Sequence, residues 1–239
     1  SLGIGDLNAH TSDTIPRQGQ FRDELAVLSN LRGEPQFTTI YTPGDHETVI
    51  DPVLHADADR LLFAQNGARE KNWRLWEMNL DGSARRQLSP DDGADIGHFD
   101  PCYLPDGRIV FASTASYQGL PCEFGSKAMT CLYRLDPRTQ EVRQLTFEQD
   151  SDWCPTLLPN GRVLYLRWEY TDQSHANSRI LFHMNPDGTD QREFRGSGSW
   201  FPGSFFYAKA IPGESHQIIG VAGGHHGTPR SGRLLLMDP

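Results

Sequence analysis

Two stretches of this chain carry side chains that could do chemistry. Arg167-Trp168-Glu169-Tyr170-Thr171-Asp172-Gln173-Ser174-His175 sets a cation, two carboxylates, two aromatic rings and an imidazole within nine residues. Gly223-Gly224-His225-His226-Gly227 places adjacent histidines in a glycine-rich turn, where backbone can come close to another group. Arg167, Trp168, Glu169, Tyr170, Asp172, His175, His225 and His226 are therefore the candidate ligand-binding residues, with His225 and His226 the candidate metal donors. Imidazole and carboxylate suit a borderline or hard cation, although adjacent residues of a turn usually point apart. The competing expectation is structural: Arg167 pairs with Glu169, the tryptophans wedge between packed units, and the histidines bond loop backbone. No pattern assigns a catalytic residue, since the chain has no Gly-x-Ser-x-Gly elbow, His-Glu-x-x-His helix or phosphate-cradling glycine loop. Asp91-Asp92-Gly93-Ala94-Asp95 lacks the alternating ligands and terminal glutamate of an EF-hand and reads as a solvated turn.

What must position these residues is a repeat. Leu104-Pro105-Asp106-Gly107-Arg108 leads into Ile109-Val110-Phe111, and Leu158-Pro159-Asn160-Gly161-Arg162 into Val163-Leu164-Tyr165, 54 residues later. A second phrase closes each unit, as in Leu75 to Gly82, Leu132 to Pro137, Leu181 to Gly188 and Leu235 to Pro239. Asp-Gly and Asn-Gly supply the positive φ that tight hairpins require, so each unit reads as four short antiparallel strands. Units of this size predict an all-β fold, a β-propeller of four-stranded blades. The blades fall near 46–90, 95–146, 150–195 and 200–239, the last incomplete, after a lead-in segment over 1–45. About four blades are expected here, as part of a larger, for example six-bladed, ring.

Blade topology sorts the connections onto two faces. The first-to-second and third-to-fourth turns are short and share one face. The second-to-third loops and the links between blades share the other, and they hold nearly every chemically rich residue. A small ligand is expected on that channel face. Asp51-Pro52 and Asp100-Pro101 recur ahead of a strand, which suggests aspartates capping backbone amides of a neighbouring loop.

A net charge of −9 argues against nucleic acid as the main partner, because phosphate binding needs a basic surface. No apolar run is long enough to span a bilayer. Of the four cysteines, Cys122 and Cys131 flank one loop and are expected to form a disulfide staple; Cys102 with Cys154 is a second candidate pair. Such pairing favours a periplasmic or otherwise exported protein. No Cys-x-x-Cys-His attaches haem c within this segment.

The Pro-Asp-Gly-Arg turn and the strand ending Arg143-Gln144-Leu145-Thr146 resemble the WD40-like repeats of TolB-type propellers. Leu164 to Asp172, Met184 to Thr189, Phe205 to Gly213 and Gly224-His225-His226-Gly227 are similar to the middle domain of hydrazine synthase alpha subunits and their uncharacterised relatives. In the enzyme, the resemblance implies a six-bladed propeller between haem-bearing domains of a periplasmic complex that joins nitric oxide and ammonium. It implies haem c in flanking domains and other domains or subunits as partners. The favoured expectation is a noncatalytic propeller that scaffolds or binds within a larger exported protein. The alternative is the propeller of a hydrazine synthase-like multihaem enzyme whose haem sites lie outside this segment.

Overall fold

The computed structural model describes residues 23–66, 72–121, 124–126, 128–169, 179–196, 201–214, 216–224 and 232–238. A hairpin of β1 (Leu25–Ser29) and β2 (Gln36–Tyr41) comes first. β3 (Thr48–Leu54), β4 (Arg60–Asn66), β5 (Trp73–Asn79) and β6 (Arg86–Gln87) form one four-stranded sheet. β7 (His98–Tyr103), β8 (Ile109–Ser113), β9 (Cys131–Asp136) and β10 (Glu141–Gln144) form the next, and β11 (Asp152–Leu157), β12 (Val163–Trp168), β13 (Arg179–Met184) and β14 (Arg192–Arg195) a third. β15 (Ser204–Ala210), β16 (Ile218–Gly223) and β17 (Arg233–Met237) make a three-stranded sheet. All pairings are antiparallel and sequential, so these four sheets are the blades of an all-β propeller.

The turns form for the reason the sequence suggests. Gly107 and Gly161 sit at φ 84° and 81°, and in both turns the N–H of the leucine before proline donates to the arginine carbonyl, at 2.8 Å for Leu104 to Arg108 and for Leu158 to Arg162. Strands β8 and β12 are buried along their whole length, because each is covered by a neighbouring blade on either side. The continuous core runs from Leu62 in β4 to Ala222 in β16.

The hairpin within the predicted lead-in is the outer half of another blade. Its Leu25, Ile40 and Tyr41 pack on Val49, Phe63, Met78 and Trp76 of the first blade. A Cβ at Gly82, in the β5–β6 turn, would lie 2.4 Å from the Ile40 carbonyl oxygen; one at Gly188, in the β13–β14 turn, would lie 3.0 Å from that of Leu145. Ile40 thus stands against the first blade as Leu145, which follows β10, stands against the third. β1 and β2 are therefore equivalent to β9 and β10.

Gly82→Ala and Gly107→Ala separate these effects. Both meet the positive-φ cost of roughly 1–2 kcal/mol, but only Gly82 faces a carbonyl, whereas nothing lies within 4 Å of Gly107. In urea unfolding Gly82→Ala is expected to cost about 1–3 kcal/mol more than Gly107→Ala. Equal costs would remove the hairpin from the blade stack.

Candidate functional site

The innermost strand of every blade carries the same irregularity. Register shifts fall between Ile50 and Val53, Phe99 and Cys102, Trp153 and Thr156, and Phe206 and Lys209. At each one a non-glycine residue takes positive φ: Asp51 at 53°, Asp100 at 48°, Cys154 at 51° and Tyr207 at 53°. Pro52, Pro101 and Pro155 follow the first three, fitting a position where the ladder needs no N–H. The Asp-Pro pairs lie inside the first strands, not ahead of them.

A bulge breaks the ladder, so its amide needs another acceptor. The preceding blade supplies one. Asp100 N–H donates to Asp51 Oδ2 at 3.3 Å, and Cys154 N–H to Asp100 Oδ2 at 3.1 Å. The expected capping of a neighbour's backbone by these aspartates is thus present, passed from blade to blade around the channel.

The bulges wall a cavity of about 250 Å³, lined by Asp51, Pro52, Val53, Asp100, Pro101, Cys154, Pro155, Tyr207 and Lys209. The prolines and Val53 make most of it apolar, with two carboxylates and one ammonium set into the wall. Lys209 is exposed, and no carboxylate of the described residues lies within ion-pair distance of it. Sequence reasoning had picked out the aspartates but not Lys209, which follows a bulge at Tyr207-Ala208 that carries neither aspartate nor proline.

The residues chosen from the sequence behave differently. Arg167 is buried in β12, with Nε donating to Asp152 Oδ1 at 3.0 Å and Nη1 3.0 Å from Glu148 Oε1. Its Nη2 donates to Tyr165 Oη at 2.9 Å and Gln191 Oε1 at 2.6 Å, while Gln191 Nε2 donates to the Leu145 carbonyl at 3.1 Å. Arg167 therefore ties β12 to the first strand of its own blade through Asp152 and to the link from the second blade through Glu148, in place of the expected pair with Glu169. Trp168 is buried against Trp153, ring centroids 6.5 Å apart, and the Arg179 guanidinium lies 5.0 Å and 5.7 Å from the two ring centres. Trp168 and Arg179 thus pack within the third blade, against the Trp153 ring that meets Phe206 of the fourth at 6.4 Å. Glu169 is half-buried just past β12; burial lifts its carboxyl above the usual range, against the pull of Arg167. Tyr170, Asp172, His175, His225 and His226 lie outside the described residues.

The proposed bridges do not form: Cys102, Cys131 and Cys154 are in no disulfide, and Cys122 lies outside the described residues. Each thiol has its own surroundings: Cys102 Sγ lies 3.4 Å from the Tyr103 carbonyl, Cys154 Sγ 3.7 Å from Asp100 Oδ2, and Cys131 Sγ 4.0 Å from the Glu148 carbonyl. Burial pushes the Cys131 thiol up to about 12 and the Cys102 thiol up to about 11. The Asp91–Asp95 segment gathers no cation site. Asp91 lies 3.5 Å from Arg74, and Asp92 accepts from buried His98 at 3.1 Å. Among the described residues, only His55, Asp57 and Asp59 bring three potential metal donors together. They lie on the short-turn face, where Arg60 Nη2 already approaches His55 Nε2 at 2.9 Å.

Comparison with known proteins places this architecture. No family model matches the chain. The hydrazine synthase alpha subunit of Kuenenia stuttgartiensis is 23% identical over 191 residues, 59% of this chain and 22% of that protein. The solved Kuenenia stuttgartiensis hydrazine synthase superposes with a TM-score of 0.69 at 19% identity, covering 97% of this chain and 36% of that one. This chain is a propeller similar to part of hydrazine synthase. The putative TolB of Agrobacterium tumefaciens shares the fold, with a TM-score of 0.63 at 13% identity over 90% of this chain and 71% of its own. The chain thus spans about a fifth of the curated hydrazine synthase relative.

That relation brings c-type haem into question, and the described residues do not fit it. Haem attachment needs two close cysteines beside a histidine. Here the three described thiols sit buried in β7, β9 and β11, each turned to a carbonyl or a carboxylate.

The Arg167 clamp has a measurable titration. Full burial raises the Asp152 carboxyl from 3.8 to about 6; Arg167 pulls it down but is shared with Glu148. A folded-state value above the unfolded one means that this group's stabilising contribution is full below the unfolded value and lost as pH rises through the folded one. Relative to Asp152→Asn, the parent protein should therefore lose up to roughly 3 kcal/mol of stability between about pH 4 and 7. Urea titrations across that range read the difference directly, and a pH-independent difference would contradict the assignment.

Proposed function

We propose that this chain is a noncatalytic propeller module of a larger exported protein and that its channel binds a small polar ligand. The observation that carries the reading is the cavity where all four blades converge, with Lys209, Asp51 and Asp100 set in the same largely apolar wall. The chemistry suits a small amino or hydroxy acid. Its carboxylate would meet Lys209, and its ammonium or hydroxyl would donate to the aspartate oxygens. Two features favour binding over catalysis. Asp51 and Asp100 each hold a backbone amide of the next blade, and Arg167 and Trp168 are taken up in buried contacts along β12. Export follows the resemblance to a periplasmic enzyme's propeller.

A second reading, the propeller of a hydrazine synthase-like multihaem enzyme with its haems in flanking domains, is favoured by the 97% coverage of this chain in that superposition. Cys-x-x-Cys-His motifs in the flanking sequence of the full-length protein would support it, and their absence there would leave the binding module.

Calorimetric titration with serine, lactate and, as an uncharged control, glycerol tests the ligand class. Serine or lactate should bind saturably and glycerol should not. Lys209→Met should weaken binding roughly 10- to 100-fold, the loss of one charge-assisted hydrogen bond, with an unchanged unfolding midpoint. Equal binding by Lys209→Met, or no saturable binding by either acid, would overturn the ligand reading.

A further inference from the structure

On the short-turn face one position recurs at the end of every inner strand. Leu54, Tyr103, Leu157 and Ala210 pair with the first residue of the next strand, at Leu61, Ile109, Val163 and Ile218. The residue after each donates its N–H to the carbonyl just before that partner: His55 to Arg60, Leu104 to Arg108, Leu158 to Arg162 and Ile211 to Gln217, at 2.9, 2.8, 2.8 and 3.2 Å. The four positions are therefore equivalent, and the side chain at each one meets the seam with the preceding blade.

Tyr103 shows what such a seam can hold. Its ring reaches the first blade, edge to face with His55 at 4.9 Å between centroids, and its hydroxyl donates to Glu77 Oε1 at 2.9 Å. At the next seam Leu157 packs against the main core. Between the third and fourth blades, Ala210 offers a single methyl group. A cavity of about 450 Å³ lies there, walled by Leu158 and Pro159 of the third blade, Phe194 of β14, and Ala210 and Ile218 of the fourth. Leu158 lines it from the position that His55 holds beside Tyr103.

The walls select the ligand. The volume is that of a small-molecule site with largely apolar sides. Phe194 supplies an aromatic wall, its ring held in a T-shaped pair with His183 at 5.5 Å between centroids. Among the described lining residues there is no carboxylate, ammonium or guanidinium, since Gln217 takes the place of Arg60, Arg108 and Arg162. A charged ligand would lose hydration there without a partner. Asn160 Oδ1 accepts the Arg162 N–H at 3.1 Å, which leaves the amide nitrogen of this exposed side chain to donate to one hydroxyl.

We infer that the seam between the third and fourth blades binds a small neutral phenol, whose ring takes the place there that the Tyr103 ring takes between the first and second. This cavity shares no lining residue with the channel, so either site can fail without the other. The test titrates p-cresol, the side chain of tyrosine, into the full-length protein carrying labelled Leu, Ile and Ala methyl groups, read by methyl NMR. Saturable shifts are expected at Leu158, Ala210 and Ile218, and none at the equivalent Leu104 and Ile109 of the second blade. The saturated analogue 4-methylcyclohexanol should bind roughly 3- to 10-fold more weakly, the loss of one aromatic pair. Ala210→Tyr should fill the seam from within and abolish the shifts at Leu158 and Ile218 with the thermal midpoint retained. If that variant does not fold, the shifts in the parent protein decide. Their absence at the three lining residues, equal binding of 4-methylcyclohexanol, or p-cresol binding retained by folded Ala210→Tyr would overturn the proposal.

Discussion

The structure depends on a hydrogen bond between blades: the carboxylate of one channel-lining bulge accepts the amide of the next. Asp51 holds Asp100 N–H, and Asp100 holds Cys154 N–H. A bulge frees a backbone N–H in the middle of a buried strand, where leaving it without a partner costs about 1–3 kcal/mol. Supplying the acceptor from the neighbouring blade turns that liability into a registry device. The second and third blades sit where their bulge meets the previous carboxylate, and these bulges line up around the channel. Tyr207 and Lys209 reach the cavity because the fourth blade repeats the same shift. The series also explains why Cys154 remains a thiol: its side chain lies against the aspartate that orders its backbone.

Much of this was legible in the repeat, and the failures have physical causes. The Pro-Asp-Gly and Asp-Gly turns mark the hairpins because only a few residues tolerate their backbone, so the strands around Ile109 and Val163 could be placed directly. The hairpin at Leu25–Tyr41 was missed because its turn, Asn30 to Gly33, shares neither phrase; packing against Gly82, which a sequence does not display, reveals it as half a blade. Proline suggested that Asp51 and Asp100 precede a strand, whereas a bulge lets proline sit within one. Cys154-Pro155 and Tyr207-Ala208 occupy the same position without the aspartate, so spacing alone could not join all four.

The richest motif in the sequence proved to be divided by its own strand. Arg167 and Trp168 lie in β12 and find their partners at Asp152, Glu148, Trp153 and Arg179 rather than at the next residues of the motif. Nearness in sequence had suggested Glu169 for the arginine. Burial selected the carboxylates of the adjacent link and first strand instead. Inner strands build a cavity with a few fixed charges, while the second-to-third loops and the links between blades lie on one face.

Hydrogen exchange at the bulge amides tests the account at its root. If the carboxylate bonds set the blade registry, the amides of Asp100 and Cys154 should exchange only with global unfolding, as slowly as those of buried β8. Exchange at these two sites as fast as in the exposed 91–95 link would contradict it.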